Sequence, residues 1–124
     1  MVKDYENEYA YYELKHDLLY IKFKPNVVID YLGASMIIAD RLKIQASKAY
    51  SVICDITNLK RIDASARRQL ALDGSLLLNA VALIARNSST FALASYYVTL
   101  NKPGVITRVF TNLEEAEIFL TTIL

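Results

Sequence analysis

The stretch YSVICDITNLKRIDASARRQLALDGSLLL, residues 50–78, decides the fold of this chain. It opens with an apolar run, Val52-Ile53-Cys54, which ends on Asp55 and is followed by a short polar link. A helix is then predicted from Asp63 to about Leu77. A buried strand that feeds a helix in this way is typical of an open α/β sheet, in which ligands and partners gather at the carboxyl edge of the strands. We therefore expect the functional surface at that edge.

The length and composition of the chain fit one globular domain. Its 124 residues can bury a core without disulfides or metal ions, and a content of 54% hydrophobic residues separates it from disordered chains. The net charge of +1 gives no overall field, so neither nucleic acid nor a membrane surface is an expected partner. The single cysteine, Cys54, excludes an internal disulfide and a zinc site, and a cytoplasmic location is expected.

The hydrophobic pattern predicts a mixed, mostly parallel sheet with elements in the order ββαβαβαβα. The strands are expected at residues 9–14, 18–24, 51–56, 80–85 and 105–110. Four helices are expected, starting after Asp30, at Asp63, near residue 88 and after Asn112. Residues 1–8 are expected to be disordered or frayed, and residues 9–124 to form one domain.

Each predicted helix has an apolar stripe that is expected to face the core. In the first helix the stripe is Leu32, Met36, Ala39 and Leu42; in the second it is Ala66, Leu70 and Leu77; in the last it is Leu113, Ala116, Leu120 and Ile123.

The start of the second helix is a candidate binding surface. The hydroxyl of Ser65 would lie near free backbone N–H groups, a setting suited to an anion or to phosphorylation, with Arg67 and Arg68 available to neutralise a phosphate. The plainer alternative is that Asp63 caps the helix and the arginines form its solvated face.

The third helix is unusual because residues 87–101 carry no charge. Phe91, Tyr96 and Tyr97 point in different directions around it, and a helix that is apolar all round must be covered all round. Other elements of the domain, a second copy of the chain in a homodimer, or a small apolar molecule in a pocket walled by this helix could provide the cover.

Residues with catalytic potential are sparse. His16 lies in a turn without a partner, Cys54 lies mid-strand where a thiol is inert, and Asp55 is the best lone carboxylate. The chain has no phosphate-binding loop, no dinucleotide fingerprint and no metal-ligand spacing. We therefore expect no enzyme activity, no cofactor and no metal ion.

The anchoring stretch resembles the central motif of STAS domains, the sulphate-transporter and anti-sigma-factor-antagonist modules. The resemblance is carried by residues 55–62, DITNLKRI, by Asp63-Ala64-Ser65 at the helix start, and by the tail at residues 109–112. Asp63 matches the aspartate of the family motif, while Ala64 stands where regulated members carry a phosphorylated serine. Since alanine has no hydroxyl, Ser65 is the substitute phosphorylation site, and Ala66 replaces the family glycine.

The resemblance implies a single α/β STAS-like domain that acts as a non-catalytic bacterial regulatory module. Together with the charge-free helix it predicts a protein partner and a homodimer. The predicted interaction residues are Asp55, Thr57, Asp63, Ser65, Arg67, Arg68, Phe91, Tyr96 and Tyr97. The alternative function is the binding of a lipid-like apolar molecule in a pocket walled by residues 88–101.

Overall fold

The centre of the fold is a mixed sheet of six strands in the computed structural model, which describes residues 3–123. The strands of these residues are β1 (Lys3–Glu6), β2 (Ala10–Lys15), β3 (Leu18–Phe23), β4 (Val27–Ile29), β5 (Tyr50–Asp55), β6 (Leu59–Ile62), β7 (Leu78–Ile84) and β8 (Ile106–Phe110). The central sheet has the order β1-β2-β3-β5-β7-β8. Strands β1 to β3 pair antiparallel, and the remaining neighbours pair parallel. The predicted mixed, mostly parallel α/β architecture is confirmed.

Four α-helices follow strands, and each begins at a side chain that accepts a hydrogen bond from the third residue of the helix. The helices are α1 (Tyr31–Gln45), α2 (Ala64–Leu72), α3 (Ser88–Tyr96) and α4 (Leu113–Thr122). Their capping residues are Asp30, Asp63, Asn87 and Asn112. Such a cap satisfies an amide that the helix itself leaves unpaired. None of the helices within residues 3–123 has the length and apolar character needed to cross a bilayer.

A second, two-stranded sheet was not predicted. Strands β4 and β6 pair in parallel, and both strands are buried at their ends, at Val27 and Ile29 and at Leu59 and Ile62. Because α1 follows β4 and α2 follows β6, this pairing brings the starts of the two helices side by side. The backbone N–H of Asp63 donates to the carbonyl of Ile29 across the junction at 3.1 Å.

The two faces of the central sheet are covered unequally. One face packs against α1, α2, α3 and the small sheet, and its core includes Leu19, Ile21 and Val52. The other face packs against α4 through a smaller core that includes Ala116 and Leu120. The larger core is the one that contains the site described below.

Residues 3–6 form β1 and not the frayed segment predicted for residues 1–8, of which residues 1 and 2 lie outside the described part. All four residues of β1 are exposed, so their side chains give no apolar alternation that would reveal a strand. The segment is held by pairing with β2 and by Asn7, whose amide oxygen accepts from the backbone of Tyr9 and Ala10 at 2.9 Å.

The predicted inward stripe of α1 was wrong. Leu32 is 73% exposed and Met36 is 43% exposed, while Ile37, Arg41 and Ile44 are buried. The true stripe contains a buried arginine, and a pattern search that assigns charge to the surface selects the neighbouring face instead.

The second helix was predicted too long, and both the second and the last helices were predicted too buried at their ends. Helix α2 ends at Leu72 and continues as a 3₁₀ turn, so Leu77 lies in the left-handed region at φ 58° and is exposed. Leu113 and Ile123, at the two ends of α4, are also exposed. The predicted burial of Ala66, Ala116 and Leu120 is confirmed.

We predict that Asn112→Ala lowers the free energy of unfolding by about 1 kcal/mol, since its side chain caps the helix that covers one sheet face. Urea titration followed by circular dichroism measures the change. Asn112→Ser keeps an oxygen that can accept from the Glu115 N–H and should retain most of the stability. Equal losses in both variants would show that the cap is not the cause.

Candidate functional site

An apolar cavity of about 120 Å³ lies between the central sheet and helices α1, α2 and α3. The sheet contributes Ile21, Phe23, Val52, Cys54, Val81 and Leu83 to its walls, and the helices contribute Ile37, Ile38, Leu70, Leu93 and Ala94. Protein interiors seldom contain voids larger than a water molecule. An engineered apolar cavity of about 150 Å³ stays dry and binds benzene.

The loop after α3 closes one side of the cavity. Pro103 and Val105 line it, and the N–H of Gly104 between them donates to the carbonyl of Ala71 and to Ser75 Oγ, each at 3.1 Å. A Cβ at Gly104 would lie 3.1 Å from Ser75 Oγ, so the loop can approach α2 this closely because the residue is glycine.

The charge-free helix is covered on one side alone. Ala94 and Tyr97 line the cavity, whereas Phe91 is 39% exposed and Tyr96 is 49% exposed on the outside. At Tyr97 the α-helix changes to a π-helical segment that runs to Asn101. Segments of this type are frequent at functional sites. Within residues 3–123, other elements cover only one side of this helix, so the expected cover on all sides is not provided there.

A buried arginine lines the cavity. Arg41 is 3% exposed and forms no ion pair with any residue of the described part of the chain. Its guanidinium donates to the carbonyls of Gly74 at 3.1 Å and Leu76 at 3.0 Å, and to the side chain of Gln45. Burial lowers the pKa of Arg41 to about 10, which leaves the group charged at neutral pH.

A second arginine, Arg67 of α2, also lines the cavity but is only half-buried. Its NH1 donates to the carbonyl of Ile62 at 2.8 Å, and its guanidinium carbon lies 5.3 Å from the centre of the Tyr96 ring. Its Nε is buried and has no acceptor among residues 3–123. Arg67 therefore connects the cavity with the exposed side of α3.

The remaining ionisable groups in the walls are neutral at physiological pH. Burial raises the pKa of the Cys54 thiol to about 12, and Asp55 adds to the shift. Burial also raises the pKa of the Tyr97 hydroxyl, with a smaller contribution from Cys54. These two side chains add polarity to the cavity without adding charge.

The predicted residues at the carboxyl edge of the sheet are paired with one another. Asp55 Oδ1 accepts from the N–H of Thr57 at 3.0 Å, and Asp55 forms an ion pair with Arg86. Burial raises the pKa of the Asp55 carboxyl, but the hydrogen bonds from Thr57 and the contact with Arg86 outweigh it and lower that pKa overall. Asp55 and Thr57 therefore hold the ends of β5 and β7 together. Within residues 3–123, no three His, Cys, Asp or Glu side chains come together as a metal site would require.

The start of α2 is capped by Asp63, and phosphorylation of Ser65 stays a prediction. Asp63 Oδ1 accepts from the N–H of Ala66 at 2.9 Å and from the hydroxyl of Ser65 at 2.8 Å. The hydrogen bond from the Ala66 N–H is the largest cause of the lowered pKa of the Asp63 carboxyl, and the hydrogen bond from the Ser65 hydroxyl is the second. Arg68 is exposed to solvent beside this cap.

Residues 12–124 match the family model described as a domain of unknown function, DUF7793. The chain belongs to this family. None of the curated proteins matches the DUF7793 chain.

The fold of the DUF7793 chain is similar to that of an uncharacterized protein of the DUF3478 family from Shewanella loihica PV-4, whose crystal structure is described as having a SpoIIAA-like fold. The TM-score is 0.62 at 13% identity, and the match covers 97% of this chain and 92% of the other. The STAS-like fold predicted from the motif at Asp63 is therefore confirmed. At this identity the likeness concerns the fold alone.

The structure divides the predicted site residues of the DUF7793 chain into separate places. Arg67 and Tyr97 lie in the cavity wall, Asp55 and Thr57 at the sheet edge, and Asp63 with Ser65 at the helix start. The sequence analysis missed Arg41 and the walls that the sheet and α1 contribute to the cavity. The spacing of Ile37, Arg41 and Ile44 is the signal that could have revealed the buried arginine.

We predict that the thiol of Cys54 resists alkylation in the native DUF7793 chain. With a pKa of about 12, its thiolate fraction at pH 8 is about a thousandfold below that of a free cysteine. Mass spectrometry after iodoacetamide treatment should find modification only when guanidinium chloride is added. Rapid modification of the folded chain would contradict the neutral state of the half-buried thiol.

Proposed function

We propose that this DUF7793 chain is a non-catalytic binding protein that holds a small apolar molecule in the cavity beneath α2 and α3. The observation that carries the proposal is the cavity of about 120 Å³ in the larger core, lined mostly by aliphatic and aromatic side chains. An empty apolar void destabilises a protein in proportion to its volume. A ligand that fills the void accounts for its presence in an otherwise well-packed core.

The size of the cavity defines the ligand. Comparison with the engineered cavity of about 150 Å³ that binds benzene indicates an apolar group of roughly six carbon atoms. A ligand with a longer hydrocarbon chain would have to extend out of the cavity. We expect it to leave on the α3 side, where the half-buried Arg67 contacts the exposed Tyr96.

We predict that the chain binds benzene and 1-hexanol and that Ala94→Leu abolishes this binding. Ala94 is buried in the cavity wall, so three added carbon atoms would occupy the room of the ligand. Chemical-shift changes in ¹H–¹⁵N spectra during titration measure the affinity.

The matched control is Ala92→Leu, two residues away on the exposed side of α3. It adds the same atoms to the same helix and should leave the binding of both probes unchanged. Equal binding by Ala94→Leu and the unaltered chain, or no binding by the unaltered chain, would contradict the proposal.

A protein-interaction role, with a homodimer as its simplest form, is the second candidate. It is favoured by Phe91, Tyr96 and Leu100, which are exposed on the uncharged helix, and by the contact of Arg67 with Tyr96 that joins this face to the Asp63 end of α2. Aromatic residues and arginine are enriched at the centres of interfaces. A bacterial, cytoplasmic setting and a regulatory partner belong to this proposal and draw on the STAS-like fold.

We expect the double variant Phe91→Ser with Tyr96→Ser to shift the chain from dimer to monomer in size-exclusion chromatography with light scattering, since it removes the apolar contact area. The control is Ile118→Ser, because Ile118 is 57% exposed on α4, which covers the other face of the sheet. A chain that is monomeric at every concentration before any substitution would contradict the homodimer.

A further inference from the structure

We infer that the ligand of the cavity carries an acidic group, a carboxylate, and that Arg67 binds this group. The inference rests on the proposed binding of an apolar molecule and adds the chemical class of that molecule.

The hydrogen-bonding state of Arg67 is the first observation. A guanidinium has five N–H donors. In the described part of the chain Arg67 forms one hydrogen bond, from NH1 to the carbonyl of Ile62 at 2.8 Å. The Nε–H is buried without an acceptor. A buried donor that lacks a partner destabilises the protein, and such groups in native structures commonly mark a site where a partner belongs.

The comparison with Arg41 shows why Arg67 is the residue that meets the ligand. Arg41 already donates to three acceptors, namely two backbone carbonyls and Gln45, and is 3% exposed. Arg67 is half-buried, lines the same cavity and retains free donors. It therefore lies where an apolar group can enter the cavity while a polar end stays close to the surface.

The charges around Arg67 favour an anion. Residues 60–68 contain four basic side chains, Lys60, Arg61, Arg67 and Arg68, and one acidic side chain, Asp63. Asp63 is committed to the cap of α2 through Ala66 and Ser65 and forms no ion pair with Arg67 in the described part of the chain. The charge of Arg67 contributes to lowering the pKa of the Asp63 carboxyl, but no carboxylate of residues 3–123 forms an ion pair with Arg67. A planar guanidinium is well suited to a carboxylate.

These observations define the ligand as a small monocarboxylic acid with an apolar body of about six carbon atoms. Hexanoate represents this class, and 1-hexanol has the same apolar body without the charge.

The test is a titration of the full chain with hexanoate and with 1-hexanol at pH 7, followed by ¹H–¹⁵N spectra that include the arginine Nε–H resonances. Hexanoate should bind about tenfold more tightly than 1-hexanol, because hydrogen bonds to charged groups are stronger than neutral ones. It should also shift the Nε–H resonance of Arg67, which 1-hexanol should leave in place. Arg67→Gln should abolish the preference, so that this variant binds hexanoate and 1-hexanol with similar affinities. The control is Arg108→Gln, because Arg108 is exposed on β8 beside Phe119. This substitution removes one arginine charge on β8, so the variant should still bind hexanoate more tightly than 1-hexanol.

Each outcome separates this inference from the proposed function. Equal binding of both probes would overturn the role of Arg67 and leave the apolar cavity as a binding site. Binding of neither probe would overturn both. If Arg67→Gln does not fold, the Nε–H resonance of the unaltered chain decides, and an unmoved resonance in the presence of bound hexanoate would overturn the inference.

Discussion

The buried guanidinium of Arg41 is the constraint on which the larger side of this fold depends. It carries a charge into the core without a carboxylate partner, and three acceptors at the end of α2 and on α1 itself satisfy it. A buried charge is tolerated only when its donors are matched, so the distance between α1 and the turn after α2 is set by these hydrogen bonds. At the opposite ends, the pairing of β4 with β6 holds the starts of both helices together.

Two helices that are fixed at both ends cannot move freely toward the sheet. The loop at Gly104 adds a third point of attachment by its hydrogen bond to Ala71. The cost of a void depends on how far its surroundings can collapse, and this frame opposes collapse. The apolar cavity is therefore a consequence of polar contacts at its rim, and the half-buried Arg67 supplies a charged group beside it.

Local chemistry explains which features could be predicted from the sequence. The caps Asp30, Asp63 and Asn112 act on amides three residues away, so the sequence alone reveals them, and the STAS-like fold follows from the motif built on Asp63. The strands β4 and β6 were missed because three- or four-residue segments show too little periodicity to distinguish them from a link. The stripe of α1 was misplaced because two of the three acceptors of Arg41, the carbonyls of Gly74 and Leu76, are distant in the sequence. The sequence indicated a possible pocket beside residues 88–101, but the walls that the sheet and α1 contribute come from other stretches, which the pattern of one helix cannot reveal.

The central claim is that this frame keeps an apolar space open inside the folded chain. A crystal structure determined under xenon pressure tests it most directly, because xenon enters apolar voids without a charge or a hydrogen bond. We predict an ordered xenon atom between Val52 on the sheet and Leu93 on α3, with Arg41 still bound to the carbonyls of Gly74 and Leu76. An absence of xenon, with Leu93 and Tyr97 packed directly against β5, would contradict it.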